Sequence, residues 1–230
     1  MTEHTGGAEP RMIDVWDLPT RLFHWTLTAC VAVSLATGFT GGNAMVWHMR
    51  SGYAILALVL FRIAWGFTGS RTARFSDFVR GPRAVLEFAR DLRARRAAPT
   101  LGHNPLGGWM ILALLAILAF QAGSGLFAND DIATEGPLYG LVDKRTSDRI
   151  TGLHETSALV LCALVAVHLA AVAWHRVARG EDLVRPMLTG AKPLPPGAPA
   201  PAMRPARTWA AAILLAIAAL AVRVLVTTSQ

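Results

Sequence analysis

Apolar residues in this chain fall in long, nearly unbroken runs, not in the alternation of a half-buried strand. Five runs stand out: Leu22–Gly41, Met45–Phe67, Trp109–Phe127, His154–Trp174 and Trp209–Val226. As helices rising about 1.5 Å per residue, each is long enough for a hydrocarbon core of about 30 Å. The pattern predicts an all-α integral membrane protein. Gly41-Gly42-Asn43 reads as a tight turn, so the first two helices are antiparallel neighbours.

The polar stretches between the runs differ in kind. RTARFSDFVRGPRAVLEFARDLRARR places apolar residues at helical spacing among arginines, which suggests an interfacial helix on anionic membrane lipids. PLPPGAPAPAMRP is a Pro-rich, extended linker. It separates a four-helix transmembrane bundle from a fifth C-terminal transmembrane helix, whose Arg223 sits close enough to the end to snorkel. The expected division is an N-terminal segment 1–21, a four-helix domain 22–175, a basic, Pro-rich linker 176–207 and the fifth helix 208–230. NDDIATEGPLYGLVDKRTSD carries five acids and reads as a solvated loop, or as an acidic landing surface for a basic partner.

Charge sets the orientation. The flanks before the first helix, between the second and third, and between the fourth and fifth hold 2, 8 and 6 Lys or Arg residues. The opposite flanks hold 0, 3 and 0, which puts the N-terminus in the cytoplasm and the C-terminus outside. A hydrophobic fraction of 53% and a mean hydropathy of +0.40 agree with the membrane class. Although the net charge is +7, its segregation between apolar runs excludes a nucleic-acid binder. Cys30 and Cys162 lie within apolar runs and no C-x-x-C-H occurs, so a covalently attached c-type haem has no anchor. No cleavable signal peptide is expected, because the first run has spanning length and follows about twenty polar residues.

Histidines inside these runs need a purpose, since an unpaired ionisable group in hydrocarbon is costly. His154 and His168, fourteen residues apart, share one helix face about 21 Å apart along the axis. His24 starts the first helix at the inner side and His48 starts the second at the outer side. The four sort into an inner pair, His24 with His168, and an outer pair, His48 with His154. Two opposed imidazoles at each of two depths suit two stacked haem b groups, each six-coordinate and so confined to electron exchange. Zinc would need three or four ligands converging on one point, which two separated pairs do not offer.

Gly52 follows His48 by one turn on the same face, leaving room for a flat macrocycle. Arg62 lies on that face at the depth of the inner pair, where it meets a haem propionate or snorkels to the inner surface. Gly38, Gly66, Gly123 and Gly125 read as close helix packing or haem clearance. His175, beside Arg176, is expected to face headgroups, and His103 and His4 to be non-ligating.

The stretches VWDLPTRLFHW, GYAILALVLFRIAWGFTGSRTARFSDF, LGHNPLGGWM and EDLVRPMLTGAKP resemble the bacterial cytochrome b561 family, related to the cytochrome b subunit of nickel–iron hydrogenases. The resemblance covers roughly 13–193 and leaves out the fifth helix. It implies a four-helix inner-membrane cytochrome holding two haem b groups, with His24, His48, His154 and His168 as ligands. It also implies electron transfer between the quinone pool, quinone being the substrate, and a redox partner. That partner is a periplasmic c-type cytochrome, a dehydrogenase or a hydrogenase, with the protein a quinone oxidoreductase or the membrane subunit of one. Where the family often has an acidic residue after its second-helix histidine, Met49 and Arg50 follow His48 here. Two other readings stand beside it: a superoxide:ubiquinone oxidoreductase drawing its anion in by Arg50, Lys144, Arg145 and Arg149, and a haem-free transporter or scaffold.

Overall fold

A computed structural model describes residues 11–98, 100–194 and 206–228. His4 and most of the Pro-rich linker lie outside them. In chain order the elements are β1 (Met12–Asp14), α1 (Leu18–Thr40), α2 (Met45–Thr68), α3 (Phe75–Phe78), α4 (Pro82–Arg93), α5 (Pro105–Gly125), α6 (Lys144–Arg179), α7 (Val184–Thr189), β2 (Ala191–Pro193) and α8 (Thr208–Thr227). Among the described residues five helices are long and apolar enough to cross a membrane: α1, α2 with its preceding turn, α5, α6 and α8. The chain is a multi-pass, all-α membrane protein.

Helix starts follow the capping residues, not the hydropathy. Asp17 accepts from the backbone N–H of Thr20 at 2.7 Å, and Pro19 occupies the first turn, so α1 begins at Leu18, four residues before the apolar run. Asn104 caps α5 through Gly107 N–H at 2.7 Å, with Pro105 following. Asp143 accepts from Thr146 N–H at 3.0 Å and starts α6 ten residues ahead of the predicted His154. The first turns of α1 and α6 are therefore more polar than the apolar runs that follow them. At 36 residues the helix is about 54 Å long, far more than the bilayer requires. Between α1 and α2, Gly41 and Gly42 adopt φ of 67° and 53°, a turn that L side chains resist.

The bundle is built around α2. It packs against α1, α5 and α8, while α6 packs on α5. Its buried face carries Ile55, Leu58, Val59, Phe61, Arg62 and Trp65. Ala211 and Ala218 of α8 join Leu58, Phe61, Trp65, Phe23 and Leu115 in one apolar cluster, so the fifth helix is seated on the core. Small residues there let the backbones approach closely.

At the end of the bundle expected to face inward, the two flanks of the four-helix core are tied together. β1 and β2 pair antiparallel, with Ile13 opposite Lys192. Gly190 accepts from the N–H groups of Val15 and Trp16 at 2.8 and 2.9 Å. Its φ is 90° and a Cβ there would come within 3.0 Å of the Trp16 carbonyl, so only glycine suits. Lys192 donates to Thr100 O at 2.7 Å and Trp25 Nε1 to Met187 O at 3.1 Å.

Candidate haem sites

The outer site is assembled from all four helices of the core. His48 and His154 bring their ring centroids to 5.9 Å with planes 84° apart. His48 Nδ1 lies 2.8 Å from the carbonyl of Ser34, and His154 Nδ1 lies 3.0 Å from that of Gln121. A carbonyl can only accept, so each Nδ1 carries the ring proton and each Nε2 keeps its lone pair. Holding one ring nitrogen by a backbone oxygen is the usual way a ligating histidine is oriented. The Gln121 side chain also meets this ring: its Nε2 donates toward His154 Nε2 at 3.3 Å, and its Oε1 accepts from Ser157. Ser124 Oγ approaches His154 Nδ1 at 3.1 Å.

A cavity of about 560 Å³ opens beside these rings, lined among others by Gly52, Leu118, Gly125 and Leu161. The glycines divide into two uses. A Cβ on Gly38 would meet the His48 ring at 3.0 Å, and one on Gly125 would meet the His154 ring at 3.1 Å. Nothing lies within 4 Å of a Cβ on Gly52, which faces open space beside the pair.

The inner pair sits at the other end. His24 follows the Asp17 cap by seven residues and stacks edge-on against Trp25 with centroids 5.0 Å apart. His168 of α6 is within electrostatic range of it. His24 Nδ1 is buried and has no hydrogen-bond partner. Arg62 is only 3% exposed, which rules out snorkelling to the inner surface. Its guanidinium lies 5.1 and 5.9 Å from the rings of Phe75 and Phe78, and Nη1 is buried without a partner. Asp17 is in electrostatic range of Arg62 but is occupied by Thr20 N–H and by Trp65 Nε1 at 3.2 Å.

His175 differs from expectation. It is buried rather than turned to headgroups, with Nδ1 2.7 Å from Glu181 Oε2 where α6 ends. The loop after Gly180 folds Glu181 back under the helix and gives the imidazole a carboxylate. His103 lies in the loop before α5, with its ring 4.4 Å from that of Trp16 and 4.7 Å from that of Phe78. Among the described residues, no three His, Cys, Asp or Glu side chains converge as metal ligands.

A family model described as prokaryotic cytochrome b561 matches residues 15–190. The chain belongs to that family. Its matched part takes in α1, α2, α5, α6 and the segment up to Gly190, so α8 lies beyond the family's span. The chain is similar, at 24% identity over 134 residues, to the probable Ni/Fe-hydrogenase 1 B-type cytochrome subunit of Escherichia coli K12. That match covers 45% of this chain, which spans 57% of the relative's length. It is also 24% identical over 212 residues to the probable Ni/Fe-hydrogenase B-type cytochrome subunit of Azotobacter chroococcum, covering 76% of this chain and 86% of that one.

The residues of this b561 chain fit a b-type haem. At the outer level both imidazoles stand beside a cavity with glycines under their rings, His154 Nε2 lying 3.3 Å from the Gln121 amide. At the inner level a partnerless imidazole nitrogen and a buried guanidinium suit a macrocycle that carries carboxylates. Gln121, Ser34 and His103 were not anticipated as parts of the sites. Gln121 had a signal, being a lone amide in the apolar run of α5. The Ser34 carbonyl had none, since backbone acceptors are invisible in side-chain patterns.

Proposed function

We propose that this b561 protein carries electrons across the bacterial inner membrane through two haem b groups, between a periplasmic or membrane redox partner and the quinone pool. The observation that carries this reading is the outer histidine pair, two rings 5.9 Å apart with each Nδ1 bonded to a backbone carbonyl. His48 and His154 would hold the outer haem and His24 and His168 the inner one, with Gly52 clearing the macrocycle. Arg62 would neutralise a propionate. The haems, once bound, supply one-electron chemistry.

The chain's own part is to fix the rings with Nε2 turned toward the haem. Ser34 and Gln121 do so by accepting hydrogen bonds from the Nδ1–H groups through their backbone carbonyls. Apolar residues from α1, α2 and α5 exclude water between the two levels, among them Leu27, Val31, Ile55, Val59 and Leu118. The names of the relatives favour a hydrogenase-type partner on the outer side. A superoxide substrate is less well supported: Lys144 is engaged by Asp131 at 2.7 Å and by Asp148 at 2.9 Å, which cancels much of the positive field at that mouth.

A pyridine haemochrome assay on the purified protein tests the reading. Two haems per chain are expected, both oxidised by a quinone in liposomes. Fewer than two haems, or haems inert to quinone, would overturn it.

A further inference from the structure

We propose that His103 and Arg62 form one buried carboxylate-binding site at the inner end of the bundle, and that this site holds propionate of the inner haem. The inference rests on the two-haem reading above and adds a residue that no ligand pattern identifies. His103 precedes the Asn104 cap of α5, while Arg62 comes from the buried face of α2. Phe78 joins them, with its ring 4.7 Å from that of His103 and 5.9 Å from the Arg62 guanidinium. Trp16 closes the other side of His103 at 4.4 Å. The two side chains are thus held by packing.

Each is left with an unmet nitrogen, and a carboxylate would meet both by selecting the Nδ1–H tautomer of His103. Arg62 Nη1 and His103 Nδ1 are buried without hydrogen-bond partners. Such a group is costly to bury unless something fills it, and a charged one more so. Arg62 forms no ion pair among the described residues, and its nearby carboxylate, Asp17, serves the α1 cap and Trp65. His103 is in electrostatic range of Arg62, His24 and His168, which sets it on the same side of the bundle as that pair. Burial first, then Arg62, His24 and His168, bring His103 down to about 3, so it acts as a neutral donor beside a single cation. A fixed cation with a neutral N–H donor suits a carboxylate better than a second cation or a water.

The test uses purified full-length holoprotein and redox potentiometry that resolves the two haems. His103→Phe keeps the aromatic stack and removes the donor. The inner haem's preference for the reduced state should fall by about tenfold, a shift of about 59 mV for one electron, because the propionate charge is then less compensated. Arg62→Gln should shift it in the same direction and further. His103→Gln, which restores a donor, should recover most of the shift, and the outer haem should not move.

An inner potential unchanged in His103→Phe overturns the proposal. So does one that falls equally in His103→Gln, since loss of the ring would then be the cause. If His103→Phe does not fold, His103→Leu takes its place: a fall in His103→Leu that His103→Gln does not show supports the site, and equal values in the two overturn it. Fewer than two haems in the unaltered protein would instead refute the two-haem reading.

Discussion

Gly38→Ala is a small change aimed at the outer ligand. Gly38 lies one turn beyond Ser34 on α1, and a Cβ there would sit 3.0 Å from both Cε1 and Nδ1 of His48. Ordinary contact begins at 3.4 Å, so the ring must withdraw by at least 0.4 Å. The atom pushed away is the one bonded to Ser34 O at 2.8 Å. Losing that bond costs about 1 kcal/mol, and holding the ring off its rotamer costs about 1 kcal/mol more. Together they amount to about 2 kcal/mol, or about 30-fold in haem affinity. That agrees with the roughly 10–100-fold usually lost when an outer partner of a ligating histidine is removed. Alanine is meanwhile the better helix former by about 1 kcal/mol, so the fold itself should not weaken. Haem transfer to excess apomyoglobin reads the effect directly. The outer haem should leave about 30-fold faster while the inner rate and the melting temperature hold. Unchanged outer transfer, or equal acceleration of both haems, would refute the argument that Ser34 and Gly38 position His48.

Three further outcomes are expected. His168→Ala should lose the inner haem. His175→Ala should keep both haems and instead cost about 1–3 kcal/mol by stranding Glu181, read as a lower melting temperature; the opposite pattern would make His175 the ligand. Trp65 is 1% exposed and donates to Asp17, so Trp65→Ala should cost about 3–5 kcal/mol and Trp65→Phe about 1 kcal/mol in denaturation. Asp130 accepts backbone N–H bonds from Thr134, Ala133 and Ile132 at 2.8, 2.9 and 3.0 Å, which hold its carboxyl well below the ordinary range. A depressed folded value means the stabilisation is full above the unfolded pKa of about 4 and is lost as pH falls through the folded one. Hydrogen exchange over 129–136 should therefore stay protected down to about pH 3, and protection lost already at pH 4.5 would contradict this.

What the chain discloses follows from what its patterns measure. Hydropathy measures the solvent around a helix, so the five spans are readable, while the first ten residues of α6 are not, because they are helical outside the lipid. Helical rotation measures face and depth, so the four histidines can be sorted into pairs before any coordinate is known. β1 and β2 are three residues each and nearly 180 residues apart, too short for any periodicity and too distant for a turn signal. Arg62 shows the boundary between the two kinds of information. Its face and depth come from α2 alone, yet whether it snorkels or stays buried depends on residues that α2 does not contain. Phe75 and Phe78, at the ends of α3, fold over the guanidinium and shut it from the surface. The same Phe78 ring packs on His103, so one short helix both buries the cation and contacts its neutral neighbour from the loop before α5. The cation's nearby carboxylate, Asp17, is engaged by Thr20 N–H and Trp65 Nε1, which is why the proposed propionate site rests on the enclosure of Arg62 as well as on the histidines.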